Sequence, residues 1–132
     1  MTSPAPAAAD RILVVDDEPN IVLSLEFLFS SKGYKVATAQ NGSDALQQAA
    51  AFRPQLVVLD VMLPVIDGFE VCRQLRADPS QHGLKILLLT ARGRATEIQR
   101  GIDEGADAYI TKPFATRDLV AKVQQLLAGD AT

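Results

Sequence analysis

The chain has 132 residues, 48% of them hydrophobic and 22% charged, which is typical of one globular domain with a sizeable core. Its net charge of −3 offers no basic surface for nucleic acid, and its single cysteine excludes an internal disulfide or a cysteine-built zinc site. No apolar run is long enough to cross a membrane, and the first ten residues lack the basic start of a signal peptide. We therefore expect a cytoplasmic protein with a flexible tail at residues 1–10, a domain at 11–128 and a short tail at 129–132.

The hydrophobic pattern switches repeatedly between short apolar runs and helical spacing, which predicts alternating strands and helices. The predicted strands cover about 11–15, 34–39, 56–60, 85–90 and 108–111; the predicted helices cover about 19–32, 43–52, 68–77, 96–103 and 117–127, the last behind an N-cap at Thr116. Such alternation gives parallel strands with helices on both faces. The expected fold class is α/β, a flavodoxin-like (βα)5 doubly wound sheet of five parallel strands in the order 2-1-3-4-5.

Helical spacing also predicts which side chains face the core. Cys72 shares a helical face with Phe69 and Leu75, so it should be a core residue and not a reactive thiol. For the first and last helices, the expected inner faces are Ile21, Leu25, Leu28 and Phe29, and Leu119, Val120, Val123, Leu126 and Leu127.

Polar residues stand where four of the predicted strands end. Asp16 and Asp17 follow the first strand, Asp60 closes the third, Thr90 closes the fourth and Lys112 follows the fifth. Because the carboxyl ends of parallel strands lie at one edge of a sheet, these side chains should meet where such sheets bind ligands. Each residue alone could be a helix cap or a surface residue, but together they favour a functional site.

Three carboxylates at one point repel one another. Two unit charges about 4 Å apart cost roughly 4 kcal/mol at an effective dielectric constant of 20. Lys112 can offset one charge and a divalent cation the rest, and an all-oxygen ligand set without histidine or cysteine suits Mg²⁺. Aspartate is also a nucleophile toward phosphoryl groups, whose oxygens a hydroxyl, an ammonium group and Mg²⁺ would contact during transfer.

At these positions the sequence resembles the receiver domain of two-component response regulators, of the single-domain kind found in chemotaxis regulators. The resemblance covers about residues 11–127. It rests on Asp16-Asp17-Glu18, on Asp60 with Pro64 and Asp67-Gly68, on Thr90-Ala91, on Tyr109 and on Lys112-Pro113-Phe114.

The resemblance implies a chemical role for the acidic residues. Asp60 would accept a phosphoryl group from a sensor histidine kinase or a phosphotransfer protein, in a reaction that needs Mg²⁺ or Mn²⁺. The implied metal ligands are the carboxylates of Asp16, Asp17 and Asp60 and the backbone carbonyl of Met62. No other cofactor is implied.

The resemblance also implies a switch. Thr90 would contact the phosphoryl group and shift inward on activation, Tyr109 would change rotamer with it, and Lys112 would pair with the phosphoryl group. The Lys112–Pro113 peptide would be cis, a form almost confined to bonds before proline.

The fourth helix, fifth strand and fifth helix would then bind an unknown downstream protein or pair two copies of the chain. We expect a monomer or a phosphorylation-dependent homodimer, with no direct binding to nucleic acid or to a membrane. The charges on the fourth helix alone indicate no more than a solvated face; they are Arg92, Arg94, Glu97, Arg100, Asp103 and Glu104.

Two other functions are known on similar sheets. An aspartyl-phosphate phosphohydrolase has a second aspartate two residues after its nucleophile, where this chain has Met62, which cannot move a proton. A flavin-binding module needs a phosphate loop after the first strand, where Asp16-Asp17-Glu18 would repel phosphate. We therefore expect a protein that catalyses only its own phosphotransfer and autodephosphorylation, and the sequence leaves open whether it belongs to a larger regulator.

Overall fold

The computed structural model describes residues 10–91 and 95–129. Strands and helices alternate throughout, with one 3-10 turn at Pro79–Gln81. In order they are β1 (Arg11–Val15), α1 (Pro19–Ser31), β2 (Lys35–Ala39), α2 (Gly42–Phe52), β3 (Leu56–Asp60), α3 (Gly68–Ala77), β4 (Lys85–Ala91), α4 (Ala95–Asp103), β5 (Ala108–Lys112) and α5 (Thr116–Leu127). The expectations for the two terminal tails, residues 1–9 and 130–132, and for Arg92 and Arg94 lie outside the described residues.

All five strands are parallel and lie in the order β2-β1-β3-β4-β5, so the predicted fold class is confirmed. The strand registers set Asp60 beside Leu89 and Thr90 beside Thr111. Polar residues at the ends of β3 and β4 therefore lie at the same edge of the sheet. Among the helices that the structure describes, none is long and apolar enough to cross a membrane.

The central strands are buried on both faces because helices cover both sides of the sheet. Alternate side chains of β1 point to opposite faces: Leu13 and Val15 pack with α2 and α3, whereas Ile12 and Val14 pack with α1 and α5. Cys72 is fully buried in the first of these cores, and burial raises the pKa of its thiol to about 11. This thiol is therefore protonated near neutral pH, which fits a core residue and not a nucleophile.

Local hydrogen bonds fix where the helices begin. Asn41 and Asp67 cap α2 and α3, since their side chains accept backbone N–H groups of Asp44 and Glu70. The predicted cap at Thr116 is wrong. The carbonyl of the extended Ala115 accepts N–H groups from the first turn of α5, so Ala115 is the cap residue and Thr116 lies inside the helix.

Candidate functional site

Three carboxylates meet at the carboxyl edge of the sheet. Asp16 follows β1 and is fully buried, Asp60 ends β3 and is 4% exposed, and Asp17 points into solvent. One carboxylate oxygen of each residue lies within 4.8 Å of the other two. Asp16 and Asp60, which are 44 positions apart, converge because β1 and β3 are neighbours in the sheet. The arrangement concentrates negative charge where a divalent cation can bind.

Backbone and side-chain bonds fix Asp16. Its N–H donates to the carbonyl of Ala39 at 3.2 Å, so the pairing with β2 continues one residue past the end of β1. Its Oδ1 accepts the N–H of Glu18 at 2.9 Å, and its Oδ2 accepts the Lys112 ammonium at 2.8 Å. A buried carboxylate needs such partners because the low-dielectric interior otherwise disfavours its charge.

Asp60 is less well compensated than Asp16. Its Oδ1 accepts the backbone N–H of Met62 at 3.1 Å, and its Oδ2 lies 3.4 Å from the Lys112 ammonium. Burial raises the pKa of Asp60 above its ordinary value, and the nearby charge of Asp16 raises it further, against the lowering effects of the Met62 N–H and Lys112. The charged form of Asp60 is therefore held at a cost that a bound cation would reduce.

Lys112 supplies an ammonium group at this edge of the sheet. Its Nζ lies within 4 Å of Asp16, Asp60 and Glu18, the last at 3.6 Å. Burial alone would lower the pKa of Lys112. The pKa is raised nevertheless, because Lys112 donates hydrogen bonds to Asp16 and Asp60 and is attracted by their negative charges. Lys112 thus stays protonated, and the peptide bond that joins it to Pro113 is cis.

Thr90 contributes a buried hydroxyl on the neighbouring strand. Its side chain is 1% exposed, and its Oγ1 has no hydrogen-bond partner within the part of the chain that the structure describes. Leaving a hydroxyl buried and unpaired costs about 1 to 3 kcal/mol in proteins. Native structures keep such groups where another species satisfies them, so Thr90 has a donor ready for an acceptor at this edge.

The side chains of Tyr109 and Met62 lie outside the carboxylate cluster. Tyr109 pairs with Leu88 in the sheet, is 40% exposed and lines a different groove together with Ile102. The Met62 side chain is 63% exposed at the mouth of the site, while its backbone N–H reaches Asp60. Met62 therefore contributes backbone groups and an apolar rim, and no titratable group.

A cavity of about 850 Å³ opens beside Asp60 and Lys112. Part of its wall comes from residues that the sequence did not assign to the site, because they lie on α1 and after β5, away from the strand ends that the polar pattern marks. These residues include Ile21, Ser24, Leu25, Phe114 and Thr116. The carboxylate cluster is therefore reached through a mouth whose walls are largely apolar.

Gly68 allows α3 to start close to the end of β3. From the sequence, Gly68 indicated only a turn. A Cβ atom at Gly68 would lie 2.4 Å from the carbonyl oxygen of Asp60, so only glycine lets α3 start this close to the end of β3. The approach is fixed by the Gly68 N–H, which donates to the carbonyl of Val61 at 3.0 Å.

The family model of the response regulator receiver domain matches residues 12–124. The chain belongs to this family. The resemblance read from the sequence is thereby confirmed, and the acidic cluster is compatible with the Mg²⁺ and phosphorylation sites of such domains.

Relatives and solved structures agree with this assignment. Response regulator MprA of Mycolicibacterium vanbaalenii is 50% identical over 117 residues, which are 89% of this chain and 50% of MprA. The chain thus spans about half the length of the curated relatives it matches. The chemotaxis response regulator CheY4 of Vibrio cholerae superposes with a TM-score of 0.85 at 30% identity, covering 90% of this chain and 99% of CheY4.

One solved structure contains a metal. The receiver domain of the sensor histidine kinase PA1611 from Pseudomonas aeruginosa has a magnesium ion coordinated in its active site cleft. Its TM-score is 0.83 at 29% identity, and the match covers 92% of this chain and 99% of that domain.

Proposed function

We propose that this chain is a phosphorylation-activated receiver domain of a two-component phosphorelay, extending over residues 11–128. Asp60 accepts a phosphoryl group from a sensor histidine kinase or a phosphotransfer protein. The supporting observation is the setting of Asp60, a nearly buried carboxylate at a strand end that shares one ammonium group with Asp16. On the neighbouring strand β4 lies the hydroxyl of Thr90, which has no hydrogen-bond partner among the described residues.

The residues present fit a divalent metal, Mg²⁺ or Mn²⁺. Three carboxylates offer oxygen atoms within 4.8 Å of one another, and one lysine cannot balance them all. The proposed ligands are the carboxylates of Asp16, Asp17 and Asp60 and the backbone carbonyl of Met62. When bound, the metal supplies positive charge that screens the carboxylates and the phosphoryl oxygens from one another.

The proposed reaction transfers a phosphoryl group between two side chains. An Asp60 carboxylate oxygen forms a bond to phosphorus while the bond from phosphorus to the donor's histidine nitrogen breaks. The imidazole leaves with that electron pair and with a proton on its other ring nitrogen. Lys112 and Thr90 can both donate hydrogen bonds to phosphoryl oxygens, since they lie on the strands beyond Asp60 in the sheet.

The new charge on Asp60 then acts on neighbouring elements. A phosphoryl group adds roughly −1.5 to −2 charge and several acceptor oxygens. Movement of Thr90 toward it frees space beneath α4, and Tyr109, the aromatic residue of β5, is placed to occupy that space. We propose that this shifts the population between two states of the surface formed by α4, β5 and α5.

The proposed partners follow from this scheme. The α4–β5–α5 surface binds a downstream protein or pairs two copies of the chain, so the chain is a monomer or a phosphorylation-dependent homodimer. The scheme works in the cytoplasm and needs no direct contact with nucleic acid or membrane. Its only catalysis is its own phosphorylation and dephosphorylation.

Intact-mass analysis tests the acceptor assignment. Incubation with phosphoramidate and Mg²⁺ should add one phosphoryl group to the chain and none to Asp60→Asn. Asp67→Asn is the matched control, since it removes a carboxylate from the same loop that caps α3 and should still be modified. A full mass gain in Asp60→Asn would refute the assignment.

A further inference from the structure

Val65 is the most exposed of the large hydrophobic side chains in the described residues. Its side chain is 82% exposed, and the others fall on three parts of the surface: Leu23 and Phe27 on α1, Met62 beside Val65 in the loop between β3 and α3, and Ile102 and Tyr109 on α4 and β5. Val65 differs from all of these in its backbone, because its φ is +72°.

The backbone at Val65 forms a tight and strained turn. The N–H of Ile66 donates to the carbonyl of Pro64 at 2.8 Å, which together with the positive φ of the central residue defines the less common form of γ-turn. A β-branched residue is a genuine outlier at positive φ, where glycine would be unstrained. No packing compensates Val65 for this strain, because its side chain projects into solvent.

Arg53 also has a positive φ, but its side chain, unlike that of Val65, is bonded within the fold. Among the described residues it is the other non-glycine residue with positive φ, at +53°. Its guanidinium group donates to the carbonyl of Ser80 at 3.1 Å, so its side chain has a role within the fold. Val65 has no such intramolecular role in the described structure, and residues kept in strained conformations cluster at binding sites.

The loop that carries Val65 is anchored beside the proposed phosphoryl acceptor. The bond from Gly68 N–H to the Val61 carbonyl closes residues 61–68 directly after Asp60, so Val65 stands at the tip of this loop. Met62, at the start of the loop, lines the cavity that leads to Asp60 and is itself 63% exposed. Two apolar side chains thus project from the rim of the mouth.

A protein donor must cover this rim. Asp60 is only 4% exposed, so a phosphohistidine reaches it only when the surrounding donor surface lies against the mouth of the cavity. A small donor such as phosphoramidate can enter the cavity without touching Val65, which is not among the residues that line it. The apolar side chain at the loop tip is therefore within reach of a macromolecular donor only, whose interface core would bury it.

From this geometry we infer that Val65 is a specificity-determining contact for the phosphohistidine-bearing protein that phosphorylates this chain. The strained γ-turn presents the side chain to that donor, with Met62 as its neighbour on the rim. This inference rests on the proposed function of Asp60 as acceptor.

Comparing a small phosphodonor with a protein phosphodonor distinguishes an effect on docking from an effect on the transfer reaction. Val65→Gly and Val65→Asn both relieve the positive-φ strain and remove the apolar side chain. Both should melt at the same temperature as the parent or higher, and both should react with phosphoramidate at a rate within about twofold of it. The second donor is the autophosphorylated catalytic fragment of whichever histidine kinase of the source organism transfers fastest to the parent chain. Transfer from that fragment should slow by about tenfold, the effect of no longer burying one valine side chain at the interface.

Arg53→Asn is the matched control, because it makes the same kind of backbone change near the amino edge of the sheet. It should leave transfer from the kinase within about twofold of the parent rate. Kinase transfer that stays within about twofold in both Val65 variants overturns the inference, as does an equal slowing with phosphoramidate, which would mean that the loop shapes the chemistry. A parent chain that accepts from phosphoramidate but from no kinase also overturns it, whereas a parent chain unreactive toward phosphoramidate refutes the acceptor role of Asp60 instead.

Discussion

Lys112 Nζ lies 2.8 Å from Asp16 Oδ2, joining the last residue of β5 to the residue after β1 across 96 positions of sequence. The same ammonium group is 3.4 Å from Asp60, so it favours the carboxylate that is wholly buried. The proposed acceptor is thus the carboxylate with the weaker compensation. This asymmetry leaves Asp60 dependent on an added cation and gives the site a measurable electrostatic cost.

Replacing Asp60 should therefore stabilise the metal-free protein. The pKa of Asp60 is raised by burial and by the charge of Asp16, so its ionisation opposes folding. Stability from this group is fully present below its unfolded pKa, roughly 4, and is lost as the pH rises through its folded pKa. Without Mg²⁺, Asp60→Asn should raise the Tm by about 3 °C at neutral pH, which corresponds to roughly 1 kcal/mol in the free energy of unfolding. At about pH 4 the Tm of the variant should equal that of the parent.

Thermal melts from acid to neutral pH would measure this difference. Asp67→Asn is the control, because asparagine caps a helix about as well as aspartate, so its Tm should stay close to that of the parent across this pH range. A gap between parent and Asp60→Asn that widens as the pH falls would contradict the assigned direction of the pKa shift.

Metal binding should stabilise the parent chain and not Asp17→Ala. A ligand at 100 times its dissociation constant stabilises a folded protein by about 2.7 kcal/mol. Asp17 is exposed and has a carboxylate oxygen within 4.8 Å of those of Asp16 and Asp60, so its removal weakens the site without opening the core. In the absence of Mg²⁺ the variant should be at least as stable as the parent, since one repulsive charge is gone.

Melting curves over a Mg²⁺ titration would show this loss, with Asp103→Ala on α4 as a control that keeps the full Mg²⁺ response. Equal stabilisation of the parent and Asp17→Ala by Mg²⁺ would exclude Asp17 as a ligand.

Two arginines three residues apart on α3 should differ sharply in their effect on stability. Arg76 donates to the carbonyls of Gly105 and Leu84 at 2.7 and 2.6 Å and pairs with Asp107, which also accepts the N–H of Ile86 at 2.7 Å. Arg76→Met should cost about 2 to 3 kcal/mol in urea unfolding, because it leaves these partners unpaired. Arg73→Met should show no measurable change, since Arg73 is exposed and its hydrogen bonds in the described structure go to Glu70 of the same helix. Equal effects of the two substitutions would show that the bonds of Arg76 do not anchor the segment after α4.

The strands and the acidic edge could be predicted because they follow simple rules. Apolar runs closed by one polar residue place that residue at the carboxyl edge of a parallel sheet, which is why Asp16, Asp60 and Thr90 were found from sequence.

The inner face of α1 was predicted less well, because apolar residues also occur on the outer face of this helix, as the exposed Leu23 and Phe27 show, and they blur the helical period. Val22 is buried there although it was not expected to be, while Ile21 is only half-buried.

Features that depend on close approach or on backbone strain could not be predicted. The sequence around Gly68 does not indicate that this residue lies against the Asp60 carbonyl. A positive φ is not expected at Val65, because a β-branched residue rarely adopts it. The orphaned hydroxyl of Thr90 is equally invisible in the sequence, because it depends on what fails to reach Oγ1 in the folded chain.

Thr90→Val should separate stability from signalling. The substitution keeps the shape of the side chain and removes a hydroxyl that is buried and unpaired among the described residues. The unphosphorylated protein should gain about 1 kcal/mol, since an unsatisfied polar group no longer has to be buried. The phosphorylated form should lose the hydrogen bond that we propose pulls this part of β4 toward the phosphoryl group.

Beryllofluoride with Mg²⁺, a mimic of the phosphoryl group, allows the second effect to be measured without turnover. In the parent chain it should shift the amide resonances of α4 and of Tyr109, whereas Thr90→Val should bind the mimic through Asp60 yet leave those resonances near their unliganded positions. Thr90→Ser keeps the hydroxyl and should restore the response. A full set of shifts in Thr90→Val would show that Tyr109 responds to the phosphoryl group by a route other than Thr90, with the acceptor role of Asp60 unaffected.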